Sequence, residues 1–337
     1  MKKKVFFRVD GGSWDGLGHI KRCIAVAKII KKKKIFSEPI FIINKNNKIS
    51  RNILNKNKLF YREVDGKINS NSEIANLFRI LSLEKPDFLF VDSKLINKKY
   101  IAYLKKFTKI IIFEDEKKYN TDPDLTINYN FWAKKLYQNS KGKLIGLKFN
   151  TISNSFFKRG AFNHKSKKIL ISLGGEDPNN LTLKILSIVY NLVKNLKFVI
   201  ILGHSHPKKK SIIRFCNKKS INAQIINSPE DISKYLYKIR FVISAGGLSA
   251  YEFASAGLPQ LINILDTHQT KMAKMVEKNN CGKILSYSNK LNQTSISNKF
   301  INFYNDKKQL LILNKYAKKL IKISGCELIV NNILKIR

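Results

Sequence analysis

The chain has 337 residues, which is long for one compact core and sufficient for two α/β domains. Its formal net charge is +41, yet the lysines are spread over the whole chain, which argues against a dedicated nucleic-acid-binding surface. Nonspecific polyanion binding is one interpretation of this charge, and a coding bias toward lysine, isoleucine and asparagine is another. No apolar run approaches the ~20 residues of a membrane helix or forms a secretory core, so a soluble, cytoplasmic protein is expected.

The first half alternates short apolar runs with segments of helical period, which is typical of a parallel sheet with helices between its strands. We predict strands over 5–9, 39–43, 60–64, 87–91, 110–113 and 125–127. The clearest helices are predicted over 19–33, 72–83 and 97–106. Residues 1–150 are therefore expected to form one Rossmann-like domain.

The first strand runs into a glycine-rich turn, and a helix is predicted to begin at His19. Glycines allow the backbone to approach a ligand closely, and here they are Gly11, Gly12, Gly16 and Gly18. Arg8 and Asp10 supply charge nearby. Because the positive end of a helix dipole opposes protonation of an imidazole, His19 is predicted to be a neutral general base. A helix cap or a space-filling side chain is the alternative.

Acidic residues follow two of the predicted strands. Asp92 comes directly after 88–91, and the run 114–116 follows 110–113. Open α/β sheets collect ligand-binding groups at these strand ends. Capping of the next helix is an equally good interpretation of each position.

The periodic pattern lapses between about 148 and 167, and we predict a linker over 151–167. A second Rossmann-like domain is predicted over 168–324, with a strand at 168–173, Gly174 and Gly175, and a helix over 179–194. Its further strands are predicted over 198–202, 224–226, 241–244 and 260–264. Residues 325–337 are predicted to form a closing helix that returns to the first domain.

The segment 241–259 reads as a strand, a turn of small residues and a helix. Ser244, Gly246, Gly247 and Leu248 form the turn, whose free amides can hold a diphosphate. Glu252 lies about one helical turn further on, at a suitable distance for ribose hydroxyls. The alternative role of Glu252 is to stabilise the helix dipole.

Cysteine and histidine spacing predicts no metal site and no cofactor. The cysteines are far apart, at Cys23, Cys216, Cys281 and Cys326, so neither a zinc site nor a redox motif is indicated. Only His204 and His206 lie close together among the histidines, and no carboxylate neighbours them in sequence.

Three segments together resemble the nucleotide-sugar hydrolases of pseudaminic acid biosynthesis and their spore-coat-polysaccharide relatives, within the GT-B superfamily. They are 8–10 with 16–22, 173–177, and 244–259. The resemblance implies two Rossmann-like domains facing each other across a cleft. It also implies a UDP-linked 2,4-diacetamido-2,4,6-trideoxyhexose as substrate, hydrolysed to the free sugar and UDP without a metal.

On this resemblance, His19 matches the catalytic histidine that activates water, and the sugar lies on the first domain. Further sugar-side positions implied are Arg8, Asp10, Gly18, Asp92, Asp115 and Asn128. The nucleotide-side positions implied are Gly174, Gly175, Ser244, Gly246, Gly247, Leu248, Glu252 and Gln269. The chain departs from the family after Asp92, where Ser93 and Lys94 replace histidine and tyrosine. This departure affects the expected sugar more than the reaction class.

A GT-B glycosyltransferase is the alternative function, with an acceptor hydroxyl in place of water. The fold and the donor site do not distinguish the two. Release of free sugar without an acceptor does. The sequence does not define the oligomeric state, and a monomer is compatible with it.

Overall fold

The computed structural model describes residues 1–336 except 13–16, 118–120, 138–140, 158–159, 175–176, 178, 204–205, 289 and the side chain of residue 268. The chain divides into two compact units. Unit 1 contains Met1–Ile152 and Ser324–Arg337, and unit 2 contains Ser153–Ile323. Within the described residues, no helix is long and apolar enough to cross a membrane.

Unit 1 is built on a seven-stranded parallel sheet in the order β3-β2-β1-β4-β5-β6-β7. The strands are β1 (Val5–Val9), β2 (Ile40–Asn44), β3 (Phe60–Val64), β4 (Phe88–Asp92), β5 (Lys109–Phe113), β6 (Leu125–Asn128) and β7 (Lys143–Ile145). The first six lie within a residue of the predicted bounds. The prediction lacks β7, because three residues are too few to show a period.

The centre of this sheet is covered on both faces, and for this reason its strands read as continuous apolar runs. All residues of β1 and β4 are buried. The ring of Phe7 stacks between those of Phe41 and Phe90, with centroid distances of 4.8 and 4.7 Å. This apolar packing holds the strand ends in fixed positions.

The helices of unit 1 connect these strands on both faces of the sheet. They are α1 (Gly18–Lys32), α2 (Lys48–Lys56), α3 (Asn71–Glu84), α4 (Lys98–Leu104) and the short α5 (Ala133–Leu136). Asn47, Ser70 and Asn97 cap α2, α3 and α4 with their side chains. Leu17 precedes α1 and gives no side-chain cap.

Unit 2 contains a six-stranded parallel sheet in the order β10-β9-β8-β11-β12-β13. Its strands are β8 (Lys168–Ser172), β9 (Lys197–Leu202), β10 (Ala223–Asn227), β11 (Phe241–Ala245), β12 (Gln260–Ile264) and β13 (Gly282–Tyr287). The first six strands of unit 1 have the same order. The predicted doubly wound α/β architecture is thus confirmed in both units, although β13 is missing from the prediction.

The helices of unit 2 are α6 (Leu181–Val189), α7 (Lys209–Lys218), α8 (Ser249–Ser255), α9 (Thr267–Lys278), α10 (Gln293–Asn305) and α11 (Lys307–Leu320). The prediction for α6, 179–194, is too long at both ends. Asn180 precedes the helix in the left-handed conformation, with φ of 52°.

The last helix, α12 (Cys326–Ile333), belongs to unit 1, where it packs against α1. Gly325 donates its backbone N–H to the carbonyl of Asn150 at 2.9 Å. A Cβ at position 325 would stand 2.3 Å from the carbonyl oxygen of Lys148, so only glycine fits there. Two short 3-10 helices, Leu147–Phe149 and Asn154–Phe157, lie on either side of the boundary between the units.

Candidate active site

Charged side chains of unit 1 gather where β1, β4 and β5 end. These strands are parallel neighbours, so their carboxyl ends share one edge of the sheet. Gly18 begins α1 after β1, Asp92 ends β4, and Asp115 lies two residues beyond β5. Ligands of open parallel sheets bind at this edge. The carboxyl edge of unit 1 is therefore the candidate active site; Gly16 falls outside the described residues.

His19 is the second residue of α1 and is nearly buried. Its Nδ1 lies 2.6 Å from Asp92 Oδ1. Because an ionised carboxylate only accepts hydrogen bonds, we assign the proton to Nδ1 and the lone pair to Nε2. Within the described part of the chain, Nε2 has no hydrogen-bond partner. An imidazole held in this way can accept a proton at Nε2.

Arg22 lies one turn after His19 on the same face of α1. Its Nε and Nη2 donate to the two carboxylate oxygens of Asp92 at 2.5 and 2.6 Å, and its Nη1 donates to Asp115 Oδ1 at 2.9 Å. The guanidinium also lies over the ring of Phe113, 4.7 Å from its centroid. Burial alone would lower the pKa of Arg22, but Asp115 and Asp92 hold it well above its ordinary value.

Asp92, which the resemblance implies on the sugar side, is buried against His19 and Arg22. It is 1% exposed, and its oxygens accept from His19, from two nitrogens of Arg22 and from the thiol of Cys23 at 3.7 Å. Burial alone would raise the pKa of Asp92, but Arg22 and His19 lower it well below the ordinary range. With both oxygens engaged, Asp92 orients His19 and is not available to a ligand.

The two sugar-side residues after β5 and β6 differ in exposure. Asn128, implied as a sugar contact, is 1% exposed, and its side-chain oxygen accepts the backbone N–H of Asn130 at 3.1 Å. The Asp115 side chain is 41% exposed, and its Oδ1 accepts from Arg22 and from Asn130. Burial raises the pKa of Asp115, but Arg22 lowers it below its ordinary value overall. Asp115 is thus a partly exposed, ionised carboxylate beside the histidine.

Arg8, which the resemblance implies on the sugar side, is fully buried. Its Nε donates to Glu73 at 2.8 Å and its Nη1 donates to Asp10 at 2.8 Å. Asp10 in turn accepts the backbone N–H of Asn44 at 2.8 Å. Burial lowers the pKa of Arg8, but Asp10, Tyr100 and Glu73 raise it above the ordinary value. Both residues therefore hold the end of β1 in place.

The glycine turn of unit 2 lies between β11 and α8. Ser244, implied on the nucleotide side, is fully buried and donates its hydroxyl to Gln260 at 3.0 Å. The backbone N–H of Gly246 donates to Gln269 Oε1 at 3.1 Å. This amide is therefore taken within the fold. A Cβ on Gly247 would have no atom within 4 Å, so the surface beside Gly247 is open.

Gln269 and Glu252 have different surroundings near this turn. Gln269 Oε1 also accepts the backbone N–H of Leu265 at 3.3 Å, so this oxygen links the end of β12 to the Gly246 turn. Glu252 lies in the first turn of α8 and is partly exposed. Leu248 immediately precedes α8.

The loop after β8 contains a second buried histidine–carboxylate pair. Asp177 accepts the backbone N–H groups of Leu181 and Thr182 at 2.8 and 2.7 Å, and lies 3.2 Å from His206 Nε2. The fold thus brings a carboxylate to His206 that its sequence neighbourhood lacks. Burial would raise the pKa of Asp177, but His206 and Thr182 lower it below its ordinary value. Gly174 has φ of 98°, which favours glycine, and Gly175 falls outside the described residues.

The sequence analysis gave Arg22 no role, although two signals point to it. Arg22 follows His19 by three residues, so both side chains lie on one helix face. Acidic residues also end two predicted strands that are neighbours in a doubly wound sheet. Within the described part of the chain, no group of three or more histidine, cysteine, aspartate or glutamate side chains is arranged to hold a metal ion.

Similar solved structures define the fold as GT-B. MurG from Acinetobacter baumannii superposes with a TM-score of 0.71 at 15% identity, over 99% of both chains. A UDP complex of MnaA from S. aureus superposes with a TM-score of 0.68 at 14% identity, over 99% of this chain and 96% of that one. The predicted fold class is confirmed by these neighbours.

Sequence comparison finds more specific relatives, although no family model matches the chain. The spore coat polysaccharide biosynthesis protein SpsG of Bacillus subtilis is 24% identical over 79% of this chain and 78% of its own length. The UDP-2,4-diacetamido-2,4,6-trideoxy-beta-L-altropyranose hydrolase of Campylobacter jejuni is 26% identical over 73% of this chain and 86% of its own length. An uncharacterised protein of Methanocaldococcus jannaschii is 21% identical over 77% of this chain, but only 55% of that protein is covered. The resemblance predicted from the sequence is confirmed by these relatives.

Proposed function

We propose that this protein hydrolyses a UDP-linked 2,4-diacetamido-2,4,6-trideoxyhexose to the free sugar and UDP. The observation that carries the proposal is the His19 ring, whose Nδ1 is held by Asp92 at 2.6 Å at the carboxyl edge of a parallel sheet. The similarity to a hydrolase of this substrate class supports the choice of reaction.

In this mechanism, His19 Nε2 takes a proton from a water molecule as that water attacks the anomeric carbon. The bond between the anomeric carbon and the diphosphate oxygen breaks, and the electron pair leaves with UDP. Asp92 keeps the proton on Nδ1 and stabilises the imidazolium that forms. A positioned general base contributes roughly 10²–10⁴-fold to a rate of this kind.

On the proposed sugar side, Asp115 is the one predicted acidic contact whose side chain is substantially exposed, at 41%. An ionised carboxylate accepts hydrogen bonds from sugar hydroxyl or acetamido N–H groups. The proposal therefore keeps Asp115 as a sugar contact. In place of the sugar contacts expected from the sequence, the proposal gives Asp92 an orienting role and Asn128 a structural role.

On the proposed nucleotide side, the backbone amides of Gly247 and Leu248 at the turn before α8 would receive the diphosphate. Gly174 and Glu252 remain proposed contacts, with Glu252 directed to the ribose. Such amides stabilise the charge of a leaving diphosphate. The proposal needs no metal, because His19 generates the nucleophile and the amides take the charge.

A glycosyltransferase is the second candidate, favoured by fold neighbours that are named glycosyltransferases. An acceptor hydroxyl would then replace water at His19 Nε2. The two candidates differ in one measurable respect, which is whether free sugar is released in the absence of any acceptor.

The test measures UDP release from a panel of UDP-linked amino sugars, with chelator and without acceptor. We expect wild type to release equal amounts of sugar and UDP, and His19→Ala to lose this activity while still binding UDP. His164→Ala, in unit 2, serves as the matched histidine control. UDP binding without release by wild type would contradict hydrolysis on this panel and favour the transferase.

A further inference from the structure

Arg22 binds several groups of the candidate active site at once. All three guanidinium nitrogens donate, two to Asp92 and one to Asp115. Nη2 also lies 3.2 Å from His19 Nδ1, a contact that is not a hydrogen bond in the assigned tautomer because both nitrogens are donors. The Phe113 ring closes the flat face of the guanidinium. The side chain is 3% exposed. Arg22 is thus held in a single orientation by groups on β4 and β5.

Buried ion pairs are weak evidence of a stabilising role, because removing two charges from water costs about as much as their attraction returns. Arg8 forms a buried ion-pair cluster in unit 1 that does not include His19. Arg8 is bound by Glu73 and Asp10. Arg22 differs because its main partner is the carboxylate that also binds His19.

The geometry of Asp92 explains why a guanidinium, a planar fork of N–H donors, is suited to position 22. A carboxylate on a single tether can rotate about its Cβ–Cγ bond. The two parallel bonds from Nε and Nη2 fix that rotation, and they leave a lone pair of Oδ1 aimed at His19 Nδ1. Asp115 fixes Arg22 at its third nitrogen. A lysine has the same charge but no planar fork, so it cannot reproduce this arrangement.

We propose that Arg22 is a positioning residue, which sets the tautomer and direction of the His19 ring by locking Asp92 in its ionised, correctly rotated form. This inference deepens the proposed function and rests on it for the kinetic consequence. The structural part, that Arg22 fixes the His19 ring through Asp92, is testable without any turnover.

The kinetic arm compares Arg22→Lys with wild type on the UDP-sugar that wild type hydrolyses. We expect kcat to fall by roughly tenfold or more, because the base is misdirected. KM should change by less than about threefold, because Asp115 keeps its hydrogen bond from Asn130. In a His19→Ala background, Arg22→Lys should lower the residual rate by less than about twofold, because its effect passes through the base. Equal losses in both backgrounds would overturn the positioning role.

The matched control is Arg240→Lys in unit 2. Arg240 is also largely buried, and it donates to the carbonyl of Tyr304 at 3.2 Å from Nε. This variant should change thermal stability without the kcat loss. If Arg240→Lys and Arg22→Lys lose stability and kcat in proportion, the Arg22 effect is structural and the proposal is wrong.

The arm without turnover follows the ring nitrogens of isotope-labelled histidines by NMR, with His19 assigned through His19→Ala. We expect the protonated Nδ1 signal of His19 in wild type, its loss or exchange with the other tautomer in Arg22→Lys, and a smaller change in Asp115→Asn, which keeps the Asp92 fork. An unchanged His19 signal in Arg22→Lys would refute the proposal. If wild type releases no UDP, the hydrolase proposal fails, and this NMR result still decides the role of Arg22.

Discussion

Each unit contains a buried histidine paired with an aspartate. The two pairs differ in how many nitrogens of the imidazole ring are bound within the fold. In unit 2, His206 contacts Asp177 through Nε2, and its Nδ1 accepts the backbone N–H of Lys208 at 3.3 Å. Both ring nitrogens therefore serve the fold. In unit 1, Asp92 engages only Nδ1 of His19. The difference teaches that a histidine–carboxylate pair indicates chemistry only when the second ring nitrogen remains available.

The carboxylates of the two pairs also differ in the kind of group that they bind. Asp177 has φ of 41°, a left-handed conformation, and its oxygens accept hydrogen bonds from the first backbone N–H groups of α6. Asp92 ends a regular strand, and its oxygens meet side chains. One carboxylate fixes a helix start, and the other fixes the direction of a ring.

The largest expected contrast is between Asp92→Asn and Asp177→Asn. Asp92→Asn should lower turnover by roughly 10²–10⁴-fold, because an amide in place of the carboxylate favours the wrong tautomer of His19. Asp177→Asn should keep turnover within a few fold and lower the free energy of unfolding by about 1–2 kcal/mol, because the amide keeps one oxygen for the two backbone N–H groups of α6. Steady-state UDP release and denaturant unfolding measure the two. Equal turnover losses would break the comparison.

Within unit 2, the adjacent glycines of the turn sharpen the distinction between fold and site. Gly246→Ala should destabilise the protein by about 1–3 kcal/mol, because the new Cβ would lie 2.8 Å from the carbonyl oxygen of Gln269. Gly247→Ala should leave the melting temperature nearly unchanged but weaken UDP binding, because its Cβ enters the open space proposed for the diphosphate. Calorimetry of UDP binding and of unfolding separates the two. Unchanged UDP affinity in Gly247→Ala would move the proposed diphosphate site elsewhere.

A smaller effect is expected in the acid stability of unit 1. The pKa of Asp92 is lowered in the folded state, so Asp92 stabilises the fold above its unfolded-state value of about 3.9. That contribution is lost as the pH falls through the folded-state pKa. Melting temperatures between pH 5 and pH 2 should therefore decline less steeply in Asp92→Asn than in wild type. A parallel decline would show that the ion pair does not contribute.

The smallest expected effect concerns Glu114, on the same strand end as Asp115. Burial raises the pKa of Glu114, and one of its oxygens, Oε1, has no partner among the described residues. Its raised pKa favours folding at low pH and costs stability as the pH rises through the folded-state value. Glu114→Gln should thus add at most about 1 kcal/mol at pH 7 and nothing near pH 4. A stability loss at pH 7 would indicate that the charged form is needed.

The fold was more predictable than the site. Continuous apolar runs such as 88–91 and 110–113 are long enough to show that they are buried strands. Strands such as β7 and β13 lack that contrast with their surroundings. The position of His19 after a glycine turn was likewise visible in the sequence.

The partners of the site residues could not be read from the sequence, because burial and pairing depend on distant segments. Arg8 looks like an exposed charge until Glu73, on α3, is placed beside it. Ser244 looks like a ligand contact until Gln260, on the next strand, takes its hydroxyl. Asp92 is the clearest case. Arg22 binds both of its oxygens, and this pairing favours an orienting role over the sugar contact expected from the sequence.

The docking of α12 on α1 has a consequence for how the chain folds during its synthesis. All of unit 2 is translated between Ile152 and Ser324, so unit 1 cannot be completed until its final segment leaves the ribosome. The helix that α12 covers is the one that carries His19 and Arg22. Unit 2 can therefore mature before the helix that carries the candidate base is covered.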